Sequence, residues 1–421
     1  MLSSRPTIIP STETPRSISI NILEGKRTRQ ECEQYLKHLK AENQELVKRF
    51  KSEFIMDDSY EDSYREDIKC LQDARLKIKY EGHLNAHQEK EGKGMLSHSD
   101  SPFCCFGEWE KNKLHGPAVK ILGTSERYEG EFVEGKQHGY GKQILPNGDY
   151  YLGDWVKGRK DGEGEYYFFG TDEKYVGDFK NNQMEGDGVF YFAFGDIYEG
   201  SFKEGQKSGN GKLAYRNGDV YEGEWSKDHA TGFGTMNYAE GSKYEGDWYL
   251  GVKQGQGTLT YTDKSRYEGE FKNGGRQGSG ILYYPNGDIY DGDWNCDVRE
   301  GNGIYKFSDG STYSGDWMND QMFGKGELTD SEGGKYTGDW FNGVSHGHGI
   351  MEYSNKDVYD GEWMDGVKEG KGVYRWSSGQ KLHGQWKNDK IHGICQLVAK
   401  RSKYRVEFEH GLMINKKKVE K

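Results

Sequence analysis

The sequence predicts a mainly β protein: an elongated, single-layer antiparallel meander of about fourteen stacked hairpins, preceded by a short helical segment. Two observations predict it. A motif Tyr-x-Gly-x-Trp/Phe opens at Tyr128 and recurs at Tyr151, Tyr175, Tyr198, Tyr221, Tyr244, Tyr267, Tyr290, Tyr313, Tyr336 and Tyr359, in steps of 23 residues with one step of 24. Self-similarity at such a period marks an array of one supersecondary unit. The second observation is composition: 61 glycines, 7 prolines and 14% aromatic residues in 421. The apolar area therefore sits in rings rather than in the aliphatic core of an ordinary domain.

Taken in chain order, residues 1–27 are rich in Ser, Thr and Pro and are expected to be disordered. Thr28-Arg-Gln-Glu31 has the form of a capping box, and good helix formers follow to about Phe54. Cys32, Leu36, Leu39, Asn43, Leu46 and Phe50 fall at alternating spacings of four and three, a short apolar seam with one polar member. Two readings fit this helix: it packs back on the first repeats and covers the open sheet edge, or it docks to a partner. After the acidic stretch Asp57–Asp62 a second helix is expected near residues 62–76, so that residues 28–79 form a helical region. The array is expected over residues 80–414, and Lys416-Lys417-Lys418 belongs to a solvated basic tail, residues 415–421.

One unit explains its own geometry. In Tyr221-Glu-Gly-Glu-Trp225 the residues alternate between ring or glycine and charge, the period of two that a strand requires. About seven residues later Gly232-Phe-Gly-Thr-Met-Asn-Tyr238 alternates again, giving the second strand. Turn formers such as Asn273-Gly274 and Asn388-Asp389 join the two, and segments such as Asn217-Gly218-Asp219 join successive units. Glycine weakens a strand interior, so its regularity asks for a reason: a glycine column leaves room for a Tyr or Trp ring to lie across the backbone. On the other face Glu129, Glu131, Glu268 and Glu270 meet Lys142, Lys212, Lys325 and Lys371 and keep that face wet. Fourteen such units would extend on the order of 130 Å.

These motifs, Tyr-Glu-Gly-Glu-Trp followed by Gly-x-Gly-x-Leu/Tyr at a period of 23, resemble the MORN repeat (membrane occupation and recognition nexus) family. The departures are local: Cys105 and Leu382 replace the first Tyr, Ala118 and Cys395 the second Gly, and Val406 the first Gly. The second and fourteenth units are therefore expected to be irregular.

Chemistry has no foothold in the sequence. Paired glycines such as Gly139-Tyr-Gly141 never continue as G-x-G-x-x-G into a helix. His115, His138, His346 and His392 share a slot that elsewhere holds Asp161, Glu185, Ser208 or Gln254, so it reads as a permissive polar position rather than a metal ligand. His83 and His87 lie in a predicted hairpin without the glutamate of a zincin. No catalytic, cofactor or metal-binding residue is predicted, and the chain is read as no enzyme. A net charge of −11 with interspersed signs offers no field for nucleic acid and disfavours anionic lipid. The six cysteines show no pairing pattern, which fits reduced thiols; with no apolar leader or spanning stretch, a soluble cytoplasmic protein is expected.

What the resemblance implies is a non-catalytic scaffold whose long surface assembles other proteins, in a cytoskeletal or ciliary structure such as an axonemal radial spoke or basal body. It also implies a homodimer as one arrangement. Its alternatives are an adaptor that binds phosphoinositide or another membrane phospholipid, and a regulatory subunit of a lipid kinase. The aromatics Trp225, Trp248, Trp294, Trp317, Trp340 and Trp363 are the candidate partner-binding row; the competing expectation is that these rings pack the array itself.

Overall fold

The computed structural model describes residues 29–56, 69–399 and 402–419. The expected disorder of residues 1–27 and the helix cap at Thr28 lie outside them. Among the described residues one helix precedes 31 strands of an open antiparallel meander. The chain divides into two compact units, Met1–His229 and Ala230–Lys421.

The first unit opens with the helix Arg29–Met56. Its buried seam is the one the sequence shows, with Leu39, Asn43 and Phe50 almost wholly enclosed. The helix crosses the ends of successive strands: Phe50 packs with Met95, Cys104 and Ile121 and stacks on Phe106 at 4.5 Å, while Tyr35, four helical turns earlier, stacks on Phe169 at 4.2 Å. Asn43 is the polar register mark between them. Its Oδ1 accepts from Arg127 Nη1 at 2.8 Å and its Nδ2 donates to the Thr124 carbonyl at 3.3 Å. Glu42 and Glu129 complete the charge balance around Arg127, at 3.1 and 2.6 Å.

The second helix expected near residues 62–76 is corrected where the structure describes it: Lys69–Asp73 is a strand paired with Ile78–Leu84. The reason is local. Asp73 Oδ1 accepts the amides of Arg75 and Leu76 at 2.8 and 3.0 Å, reversing the chain where a helix would have continued. From Ile78–Leu84 to Val220–Ser226 the first unit is hairpin after hairpin, each strand antiparallel to its chain neighbours.

The second unit repeats the plan from His229–Asn237 to Leu412–Val419. The basic run expected as a solvated tail is part of that last strand, which pairs with Ser402–Glu409; Lys416 lies 4.6 Å over the Tyr404 ring. Its side chains are nonetheless exposed throughout.

The hairpin turns have positive φ at both central residues, as in Asn273-Gly274 (52° and 87°), the type I′ geometry that matches strand twist. Leu250-Gly251 adopts the same turn, with Leu250 at 49° and more than half exposed. A branched aliphatic residue is poorly suited to that region, whereas Asn enters it readily. Leu250→Asn is expected to stabilise the second unit by about 1 kcal/mol in guanidinium unfolding followed by circular dichroism.

Candidate functional site

Consider the face that carries the rings, using the repeat at Tyr267. Tyr267 lies over Gly269 of its own strand and over Gly280 of the next, and Gly269 is directly paired with Gly280. The approach is closed: a Cβ added at Gly269 would meet Gly280 Cα at 2.5 Å and Tyr267 Oη at 2.6 Å. The phenol continues over the pair and donates to the Glu270 carbonyl at 3.0 Å. Edge-on contacts to Phe271 (5.2 Å, 89°) and Trp294 (5.3 Å, 83°) hold the ring from both sides. The same arrangement surrounds Tyr128 in the first unit, between Phe132 and Trp155.

The six candidate partner-binding tryptophans lie in this packing. Trp225, Trp248, Trp294, Trp317 and Trp340 are buried and Trp363 is half-buried. The indole Nε1 of Trp225, Trp248, Trp294, Trp317 and Trp363 donates to the carbonyl of a glycine in the preceding strand, at 3.0 to 3.2 Å. Cations close the outer side: the Arg276 guanidinium sits 4.1 Å over Trp294, that of Arg299 4.5 Å over Trp317, and Lys207 Nζ 4.8 Å over Trp225. Burial among these rings pushes the Lys160 ammonium down to about 8 and lowers Lys207 and Lys253 from the usual lysine range. The rings are thus shared between neighbouring hairpins and form the core that joins them.

The opposite face is open. Its most regular feature is the carboxylate between Gly and Trp or Phe in every motif from Tyr128 to Tyr359 but the one with Ser201, which sequence reasoning missed as a structural group. The first of each paired glycine bulges with positive φ, such as Gly301 at 87°, and shifts the register between Gly292 and Trp294. The amide released by that bulge, Asn302 N, donates to Asp293 Oδ2 at 3.0 Å. Asp154, Asp178, Asp247, Glu270, Asp316, Asp339 and Glu362 accept in the same way. The signal was present as an Asp or Glu repeated before the Trp/Phe. Asp293→Ala is expected to cost about 1 kcal/mol, and Asp293→Asn, which keeps an acceptor oxygen, clearly less; chemical denaturation of both variants checks this.

The polar slot holding His138 and His346 has a task too. His138 Nδ1 accepts the Lys157 amide and His346 Nδ1 the Asp365 amide, both at 3.5 Å, and Glu185, Gln254 and Glu369 accept equivalent turn amides of the following hairpin. Among the described residues no group of three His, Cys, Asp or Glu is arranged for a metal ion. Asp288 ties repeats together at the other end. It accepts from Ser308 N at 2.8 Å and Tyr305 Oη at 2.7 Å; burial would push its carboxyl up, but these bonds and that from Asn286 hold it below the usual range.

Charge pairs cross this face as expected in places: Lys325 bonds Asp339, and Lys335 meets Glu327 at 2.8 Å. Wetness is not uniform, however. In the first repeats the face carries Met95, Phe106, Val119 and Ile121, which is why it accepts the helix. Beyond the helix it forms a groove of about 1130 Å³ in the first unit, and a second hollow of about 780 Å³ lies on the same face of the second unit. No helix among the described residues is long and apolar enough to cross a membrane.

None of the curated proteins matches the chain. Among solved structures, the TCP domain of SAS-4 (dCPAP) of Drosophila melanogaster, in complex with a proline-rich motif of Ana2, is 14% identical, with 39% of this chain and 82% of that one covered at a TM-score of 0.24. The wild-type TCP10 domain of Danio rerio CPAP is 9% identical over 49% of this chain and 99% of that one, at 0.30. Scores of this size transfer nothing about binding. The family comparison is of another kind: the MORN repeat model matches thirteen segments from residues 105–124 to residues 383–398, well over half of the sequence. With the tyrosine–glycine interlock repeated through those segments, the chain belongs to the MORN-repeat family.

Proposed function

We propose that the protein is a non-catalytic scaffold that gathers other proteins along the face of its sheet opposite the rings, within a cytoskeletal or ciliary assembly. The observation that carries the reading is the division of labour between the two faces. One face spends its aromatics on packing adjacent hairpins, with Tyr267 wholly buried between Phe271 and Trp294. The other keeps a long, grooved and chemically varied surface, and already holds one helix of this chain. Such a surface suits recognition of extended or helical segments rather than a reaction, which needs a closed, desolvated site. The cytoskeletal setting follows from the family resemblance.

The experiment is co-sedimentation of the full-length tagged protein with the detergent-resistant cytoskeleton of ciliated cells. Retention in the pellet that survives nuclease and detergent is the expected result. Complete release into the soluble fraction sinks the cytoskeletal reading, and flotation with phosphoinositide liposomes in place of pelleting would move the protein to the membrane class.

A further inference from the structure

The groove of the first unit has the length, floor and charge to receive a particular kind of partner. It crosses nine successive strands, from Cys104–Glu110 to Ile197–Lys203. Eight interstrand steps amount to about 38 Å, the length of a helix of about 25 residues. Its floor is apolar at intervals: Phe106, Val119, Tyr140, Leu152, Val176 and Val189, of which Tyr140 and Val176 are each 38% exposed. Eight carboxylates line it and no lysine or arginine does. Arg127 meets Glu129 and Lys174 meets Glu165 outside the groove, and Lys142 and Lys212 stand opposite Glu129 and Glu199 in the strand register, so the charge of Glu131, Asp154, Glu163, Asp178 and Asp187 sets its potential.

The helix Arg29–Met56 shows how a helix sits on this face. It runs across the strands with Phe50 at one end of the same groove. The spacing favours this: one hairpin advances about 9.6 Å along the sheet, and seven helical residues advance about 10.5 Å. A helix with apolar residues at heptad spacing therefore meets one apolar patch per hairpin. We infer that the groove binds a basic amphipathic helix of a partner protein, laid across the strands beside Arg29–Met56, with heptad-spaced apolar residues on Leu152 and Val176 and flanking lysines or arginines against the carboxylates. Apolar contact supplies affinity, and the charges supply selection and orientation.

This inference deepens the scaffold reading and rests on it, but its test is separate, since it concerns groove chemistry and not cellular location. The probe is a labelled 25-residue peptide with leucine at heptad positions and lysine on the flanks; its counterpart carries glutamate for lysine. Fluorescence anisotropy with the full chain at physiological salt is expected to show the lysine peptide binding at least about tenfold tighter than the glutamate peptide. The double variant Leu152→Lys, Val176→Lys is expected to lose about tenfold or more in affinity, and Ile304→Lys on the second unit to stay within about twofold. Circular dichroism establishes that each variant is folded, and hydrogen exchange is expected to show peptide-induced protection over residues 127–203. Equal binding of the two peptides, an equal loss in Ile304→Lys, or protection spread over both units would overturn the inference. So would sedimentation of the free chain as a dimer that Leu152→Lys, Val176→Lys dissolves, because the groove would then hold a second copy.

Discussion

Gly280→Ala is expected to destabilise the second unit by about 3–5 kcal/mol, an effect far beyond an ordinary surface change. The added methyl would fall on the Oη, Cζ and Cε2 atoms of Tyr267. That ring cannot yield, because Phe271 and Trp294 bracket it edge-on and its hydroxyl is held by the Glu270 carbonyl. Gly170 provides the contrast: a Cβ there meets nothing within 4 Å and its φ is ordinary, so Gly170→Ala is expected within about 0.5 kcal/mol of the parent. The protein itself carries the compensating pair. Where Cys105 stands in place of the tyrosine, the glycine opposite Gly107 is Ala118; where Leu382 does, Cys395 fills the space, its Sγ lying where a Cβ on Gly384 would go. The double variant Tyr267→Cys, Gly280→Ala is therefore expected to show a coupling of at least about 2 kcal/mol, the alanine costing little once the ring is gone. Denaturant unfolding of the four members of this cycle measures it.

Alkaline pH is expected to unfold the protein abruptly. Burial raises the twelve ring-face tyrosines above the ordinary tyrosine range, as for Tyr128 and Tyr267. The sign follows from linkage: a group whose folded pKa is raised keeps its proton in the sheet while the unfolded chain loses it, so stability is full below pH ~10 and falls above it. Each tyrosine contributes about 1.4 kcal/mol per pH unit, and six in each unit sum to about 8 kcal/mol. That matches the whole stability of a typical domain, so unfolding is expected within about one to two pH units above 10. The half-buried Lys160, pushed down to about 8, acts the other way: its charge is a burden in the folded state, and between pH 8 and 10 stability rises by up to about 1.4 kcal/mol per pH unit as it is neutralised, one group against six tyrosines. Tyrosinate absorbance should therefore appear together with loss of the strand signal. Gradual ionisation near pH 10 with the sheet intact would contradict the burial of the rings.

The repeat was legible because each hairpin states its rule in its own residues. Tyr, Gly and Trp at alternate positions, and Asn-Gly or its equivalents at the turns, were enough to place the strands of the array. The interlock was legible too, but the departures at Cys105, Ala118, Leu382 and Cys395 read as irregular units, whereas the strands there pair as elsewhere and the departures compensate in pairs. What could not be read was the role of side chains whose partner lies one hairpin away. Glu270 looked like solvated charge because the bulge at Gly278 exists only once two strands are paired. His138 looked like filler because the amide it accepts belongs to the next turn. The helix seam was visible in Leu39, Asn43 and Phe50, but not its seat, since Ile121, Arg127 and Phe169 come together only after the strands have stacked. At both ends, strand pairing decided what local composition could not: Lys69–Asp73 and the lysines of Leu412–Val419 became strands because a neighbouring strand offered a ladder.

Hydroxyl-radical footprinting of the full-length protein, read residue by residue by mass spectrometry, tests the central claim most directly: the ring face is core and the opposite face, away from the seat of the helix, is exposed to solvent. Tyr267, Trp294 and Trp317 are expected to oxidise far more slowly than Tyr140, Phe233 and Tyr249, which are exposed. Ring-face residues that oxidise as fast as those three would show the aromatics to be an open surface and would contradict the account.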